Sequence, residues 1–269
     1  MLSGEIADLA ASVTALVANN PTPDVWRPGS LQDDQVPTLH SLLGEVGWHD
    51  LADDPDSIRF IGPSAVALGR KLVALTEIDS LLGGSPLVGG LVRYTHPGGT
   101  AIVRDREGTR QVRVLAAHPV PYGDCLGVRE VTETQDLGSG DPGMAALHES
   151  AWICASVGYL AGLADAALSI ALAYAGQREA FGGSLLEIGA VQQRLADAAT
   201  GATGLLLLAE VTADLEALAY AGHAACSVLA ECHQIVGAIG YTLDFPLQRY
   251  SRRARAVQLW ADAWTEAMP

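Results

Sequence analysis

Apolar positions recur every three to four residues over most of this chain and switch to alternation in one short central stretch. Residues 3–18 place Ile6, Leu9, Ala10, Val13, Leu16 and Val17 on one face behind Ser3, which predicts an opening amphipathic helix. Asn19-Asn20-Pro21-Thr22-Pro23 stops it, and a linker follows to about Gln35. Leu39, Leu42, Leu43 and Val46 predict a second helix ending at Gly47-Trp48, and a third runs from about Ser57 to Leu75, with a further turn over Ile78–Leu82. From Leu87 to about Glu133 the period becomes two. Four strands are expected there, around Leu91–Tyr94, Thr100–Val103, Gln111–Leu115 and Leu126–Val131, with a hairpin at Arg106-Glu107-Gly108. Asp136–Gly143 reads as a Gly/Ser/Asp/Pro linker.

After that linker the helical period returns and stays. Helices are expected over Ala145 to about Arg178, Leu185–Leu218, Ala221–Val236 and about Pro246–Glu266, a four-helix bundle with short connections. Gly158 and Gly162 allow a close helix approach within the first of these. The predicted fold is mainly α with a small β domain, divided as an N-terminal helical part (1–86), a reduced middle β part (87–142) and the bundle (143–269).

Composition narrows the function classes. The net charge of −15 over 269 residues argues against sequence-independent nucleic-acid binding, which needs a basic face. Arg249, Arg252, Arg253 and Arg255 are the one basic run, and on a helix they spread over several directions. No stretch of about 18 uncharged apolar residues occurs and the N-terminus lacks a basic signal-peptide region, so a cytoplasmic protein is expected. Cys125, Cys154, Cys226 and Cys232 show no metal or redox spacing, so reduced thiols and no metal site are expected.

The most informative segment is Tyr174–Gly183, where an Ala/Leu-rich helix ends on Arg178 and Phe181 before a Gly pair. If the helix persists, Arg178 and Phe181 share a face and pair a cation with a flat apolar surface, which suits a nucleotide cofactor. A helix C-terminus with a favourably placed Arg and a glycine stop accounts for the same residues.

Three patches resemble the acyl-CoA dehydrogenase family. Tyr174–Gly183 resembles its Y-A-x-x-R-x-x-F-G, Ala190–Asp197 (AVQQRLAD) its A-V-Q-H-[KR]-L-A-D, and Gln234–Thr242 (QIVGAIGYT) its Q-I-H-G-G-I-G-Y-T, in the same order and spacing. Leu42–Trp48 and Leu68-Gly69-Arg70 resemble pieces of its N-terminal helical domain. The resemblance implies helical, middle β and four-helix domains, and FAD-dependent removal of hydrogens from Cα and Cβ of an acyl-CoA thioester. There a glutamate takes the α-proton and the flavin takes the β-hydride. It further implies that Arg178, Phe181 and Gln234, with Gly237 and Ala238 in the following loop, hold the adenosine diphosphate half of an FAD bound mainly to a neighbouring subunit. Val236 stands where the family has histidine and Ala238 replaces its second loop glycine.

The departures are as specific as the matches. The T-E-P-x-x-G-S-D segment that cradles the flavin ring and its W-I-[TS] partner have no counterpart beyond a superficial likeness at Thr76-Glu77-Ile78-Asp79. Ala261 occupies the place of the Y-E-G-T glutamate. Asp244, in Thr242-Leu243-Asp244 where other relatives have T-W-E, is the remaining candidate base, and it also fits as an N-cap for the helix beginning near Pro246. A retained clamp beside a stripped cradle resembles the degenerate chain of an actinobacterial α2β2 acyl-CoA dehydrogenase acting on bulky, steroid-type acyl-CoA. A second acyl-CoA dehydrogenase-like subunit is then the implied partner. A self-sufficient homomeric enzyme using Asp244 and a non-catalytic assembly scaffold are the alternatives.

Overall fold

The computed structural model of the protein describes residues 4–20, 36–93, 95–105, 108–120, 128–180 and 182–266. Three helices open it: α1 (Gly4–Asn19), α2 (Val36–Glu45) and α3 (Ile58–Arg70), followed by the short α4 (Thr76–Asp79). The expected apolar stripe of α1 is the buried one, through Ile6, Val13 and Val17. A sheet follows, of β1 (Ser85–Leu87), β2 (Leu91–Arg93), β3 (Thr100–Asp105), β4 (Gly108–Pro119) and β5 (Val128–Gly138). The bundle is α5 (Pro142–Gln177), α6 (Gly189–Leu208), α7 (Leu215–Val236) and α8 (Leu247–Glu266), with a two-stranded ribbon, β6 (Glu179–Ala180) and β7 (Gly183–Ser184), between α5 and α6. The fold is therefore mainly helical with a small sheet, as the periodicity predicts.

Helix α5 is the axis of the molecule. It starts where Asp141 accepts hydrogen bonds from the amides of Gly143 (2.7 Å) and Met144 (3.1 Å), with Pro142 in the first turn. From Ala151 to Ala164 every residue is buried, because α3 packs on one side and the bundle on the others. It is long and apolar enough to cross a membrane, but 72% of its most apolar window is buried inside the fold, as in a core helix. The α3–α5 crossing is backbone against backbone. A Cβ on Gly158 would lie 2.0 Å from the Gly62 carbonyl oxygen, one on Gly162 2.1 Å from that of Val66, and one on Gly69 2.1 Å from that of Tyr159. The close approach expected of Gly158 and Gly162 is thus real, and its partner is α3.

The sheet corrects three expectations. It has five strands rather than four, in the order β1-β3-β4-β5-β2. β1 was hidden inside Gly83-Gly84-Ser85-Pro86, which reads as a breaker, yet Ser85–Leu87 pairs in parallel with Ala101–Val103. Its two outer strands are joined through Val88 and Leu91, across a turn in which Gly89 and Gly90 have φ of 57° and 80°, so the sheet curls back on itself and shields its edges. β5 continues to Gly138, which shortens the expected linker to residues 139–141. The β3–β4 hairpin pairs Asp105 with Gly108 as the 106–108 turn predicts.

Two polar junctions tie the sheet to the helices. Arg93 Nη2 lies 2.5 Å from Asp79 Oδ1 with both side chains almost fully buried, Trp152 Nε1 donates to Asp79 Oδ1 (3.1 Å), and the Arg93 guanidinium sits 5.2 Å from the Trp260 ring centroid. Nearby, Arg104 Nε is 2.7 Å from Glu149 Oε1, which also accepts from Trp264 Nε1 (2.8 Å).

The expected helix Leu185–Leu218 divides at residues 209–214. The break falls on Ala-Glu-Val-Thr-Ala-Asp, where Ala209 packs closely on α3 (a Cβ on Gly62 would lie 2.3 Å from its carbonyl oxygen) and Asp214 caps α7 by accepting from the Ala217 amide (2.8 Å).

Candidate site at the end of the bundle

The C-termini of α5 and α7 and the N-terminus of α6 meet at one end of the bundle, around a cluster of Ala175, Leu195 and Ile235 with Leu185, Leu186 and Val191 packed on it. Ala175 precedes Arg178 by three residues and Ile235 follows Gln234. The structure therefore brings the Arg178 and Gln234 segments to the same end, although 56 positions separate them in the chain. Tyr174 also meets Phe245 edge to face, with centroids 5.8 Å apart, which draws the 242–246 loop and Asp244 alongside the end of α5.

Arg178 is not part of a helix. α5 ends at Gln177, and Arg178 is extended (φ −82°, ψ 118°) while its amide still donates to the Tyr174 carbonyl. The chain then enters the β6–β7 ribbon around Gly182, whose φ of 90° suits glycine, and Leu185 N–H closes the excursion by donating to the Arg178 carbonyl (2.9 Å). The helical i, i+3 pairing expected of Arg178 and Phe181 is thus replaced by a ribbon, because pairing Glu179–Ala180 with Gly183–Ser184 satisfies backbone groups that a continued helix would have used. Phe181 itself lies outside the described residues. The Arg178 side chain is exposed and has no hydrogen-bond or ion-pair partner among the described residues.

Gln234 is exposed on the last turn of α7. Gly237 ends that helix at φ 75°, ψ −156°, a conformation glycine adopts freely, with its amide on the His233 carbonyl, and no atom lies within 4 Å of where its Cβ would be. Ala238 is exposed in the 3-10 turn Gly237–Tyr241. Val236 is buried in the core.

One brace at this site was not anticipated from the sequence. His233 is 4% exposed, its Nε2 lies 2.5 Å from Ser251 Oγ, and its ring stacks on Tyr241 at 4.2 Å between centroids. Burial lowers the His233 pKa below the ordinary imidazole value. The neutral ring fills the space left by Gly240, where a Cβ would lie 3.0 Å from His233 Nδ1, and so holds the 237–241 turn against α8. Arg194 Nη1, 2.6 Å from Glu231 Oε2, ties α6 to α7 beside it.

Asp244 is exposed, and among the described residues its carboxylate has no partner; no capping bond from it to α8 is present there. Ala261 is 1% exposed inside α8, which continues to Glu266. Of the thiols, Cys154 and Cys232 are buried and Cys226 partly so, all free; Cys125 lies outside the described residues. Burial, reinforced by Glu231, pushes the Cys232 pKa up to about 12, so this thiol is inert as a nucleophile. Among the described residues, two cavities lie elsewhere. One of about 360 Å³ is lined by Ala146, Ile153 and Leu215 at the opposite end of α5, and one of about 330 Å³ lies between Leu87–Gly90 and Trp264.

Residues 144–261 match the acyl-CoA dehydrogenase C-terminal domain family. The match lies within the bundle. Benzylmalonyl-CoA dehydrogenase of Aromatoleum aromaticum is 34% identical over 106 residues, which is 35% of this chain and 28% of that protein. The chain thus aligns with well under half the length of such curated relatives. Over nearly its whole length it has the fold of solved acyl-CoA dehydrogenases. The ChsE4-ChsE5 complex from Mycobacterium tuberculosis superposes with a TM-score of 0.68 at 17% identity, covering 99% of this chain and 96% of that one. A Tcur3481-Tcur3483 steroid ACAD variant superposes with a TM-score of 0.67 at 16% identity, covering 97% and 96%.

Proposed function

We propose that this chain is a subunit of an FAD-dependent acyl-CoA dehydrogenase, that it grips the adenosine diphosphate half of an FAD held mainly by a partner subunit, and that it does not supply the base. The observation that carries this reading is the convergence of Arg178, Gln234, Gly237 and Ala238 at one exposed bundle end. An unpaired guanidinium there is positioned for a diphosphate, which a planar fork of donors binds bidentately. The open backbone at Gly237 and the small Ala238 leave room for close approach. These residues fit that half of FAD.

The fit does not extend to the ring. The Ala146 end of α5 is 32 residues from Arg178, roughly 48 Å along the helix at about 1.5 Å per residue. The cavity lined there is too remote to receive the ring of an FAD whose diphosphate sits on Arg178. Bound FAD supplies the hydride acceptor for α,β-dehydrogenation, and a carboxylate in a dry pocket must take the α-proton. Asp244 is exposed to water rather than desolvated, and Ala261 carries no acid, so the base belongs to the partner. Two structural neighbours are complexes of two chains, which supports a partner of the same fold, and one is a steroid ACAD, which supports a bulky acyl-CoA. An α2β2 assembly in the cytoplasm is the arrangement we infer.

Expression of the chain alone and with a second acyl-CoA dehydrogenase-like chain tests this. The account expects dehydrogenation only from the pair, undiminished by Asp244→Asn. Activity of the chain alone that vanishes with Asp244→Asn would instead establish the homomeric enzyme.

A further inference from the structure

Far along the fold from the bundle end, three metal-ligating side chains converge where the N-terminal helices meet. His40 comes from α2, His49 opens the 3-10 turn His49–Asp53, and Glu77 lies in α4. Their ligand atoms all fall within 4.8 Å of one another. His40 Nδ1 is 2.9 Å from Glu77 Oε2, and the two imidazole rings lie 4.2 Å apart between centroids, tilted by 36°.

The Glu77 carboxylate is the unusual member. Its side chain is 2% exposed, and an ionised carboxylate that deep is costly unless positive charge faces it. Among the described residues no lysine or arginine pairs with it. Its partners are His40 and, at 3.4 Å, the Thr76 hydroxyl. Two imidazoles converging on one buried carboxylate form a donor set of the kind that holds zinc, with a fourth position left for water.

We propose that His40, His49 and Glu77 bind one divalent ion of the zinc type, which clips α2 and the 49–53 turn to α4. Bonds of about 2.0–2.1 Å place tetrahedral ligand atoms about 3.4 Å apart. The ion takes the place of the His40–Glu77 hydrogen bond, opening that contact by about half an ångström, while the separations to His49, all within 4.8 Å, close by rotation of His49 and of His40, whose side chain is 53% exposed. The outer contacts orient His49. Its Nε2 can donate to the His40 carbonyl (3.2 Å), which leaves the lone pair on Nδ1; the Ser80 hydroxyl 3.1 Å away donates to the Glu77 carbonyl (2.9 Å) and so does not cap that lone pair. Positions 40, 49 and 77 form no sequence motif, so only the fold brings them together.

The test uses the full chain, purified in whatever assembly it forms, titrated with Zn²⁺ and, in parallel, with Co²⁺ as a spectroscopic stand-in. The expected result is about one equivalent retained on dialysis, a four-coordinate Co²⁺ ligand-field spectrum, and a metal-dependent rise in melting temperature. His40→Ala and His49→Ala should each weaken retention by at least roughly tenfold while keeping the native circular dichroism. His40→Gln, at an exposed position, serves where an alanine variant fails to fold. Absence of stoichiometric binding, or retention undiminished in these variants, overturns the proposal and leaves His40–Glu77 as an ion pair only. None of these readouts depends on FAD, so the result is independent of the bundle-end reading.

Discussion

Gly162→Ala probes the α3–α5 crossing on which the placement of the bundle depends. The added Cβ would sit 2.1 Å from the Val66 carbonyl oxygen and 2.8 Å from the Arg70 amide nitrogen. Both are helix backbone, so no side chain can swing aside. Restoring even 3.0 Å to the Val66 oxygen moves the helices apart by about 0.9 Å, and a radial gap of that size forfeits a quarter to a half of the dispersion energy of facing atoms. Ile61, Ala65 and Leu68 on α3 and Ala155, Tyr159 and Leu163 on α5 are all buried in that core. Overpacking costs about 1–3 kcal/mol at ordinary sites. With no flexible neighbour, we expect about 3 kcal/mol here, lowering the melting temperature by roughly 6–12 °C for a chain of this size. Gly204→Ala is the control, because its Cβ meets nothing within 4 Å in the interior of α6. It should stabilise by up to about 1 kcal/mol through helix propensity alone. Denaturant and thermal melts of both variants measure the difference. A Gly162→Ala protein within about 0.5 kcal/mol of wild type would refute the backbone-contact geometry.

Two further outcomes follow from buried charge. Arg93→Met leaves the Asp79 carboxylate uncompensated and should cost about 3–5 kcal/mol in denaturant melts, whereas Arg93→Met with Asp79→Leu should recover much of it; equal losses would show that the ion pair is not the cause. Burial holds the folded-state pKa of His233 below the unfolded value of about 6.5. Its contribution to stability is therefore intact above about pH 6.5 and is lost as pH falls from there through the folded value. His233→Gln should flatten the decline of melting temperature below about pH 6.5, and an unchanged profile would assign that decline to other groups.

The bundle was legible because α7 and α8 carry helical periodicity and α5 is a long apolar run without a breaker, and the bundle-end residues because their types follow a recognisable order. Where reading failed, the deciding interaction was tertiary or too local for periodicity to register. The break at 209–214 packs on Gly62 of α3, and its sequence signal is the Asp214 cap rather than any change among Leu205–Leu208. β1 contains Pro86 and follows two glycines, yet it pairs because β3 offers a free edge. Helix continuation past Gln177 is a reasonable inference from composition, but the Gly182 turn makes a ribbon cheaper than a further helical turn. The Asp244 capping role had a sound sequence basis in the following Pro246, and the described structure contains no such bond. His40, His49 and Glu77 could not be found from spacing, since separations of 9 and 28 positions match no metal-ligand pattern.

The central claim is that Arg178 grips an FAD held mainly by the partner. Flavin content of the co-expressed, gel-filtered complex, measured for wild type and for Arg178→Ala, tests it most directly. Loss of one desolvated charge-assisted contact of about 2–3 kcal/mol predicts FAD affinity weaker by roughly 30- to 150-fold, with assembly intact. A complex that keeps stoichiometric flavin with unchanged affinity after Arg178→Ala would contradict the clamp and leave the chain as a scaffold.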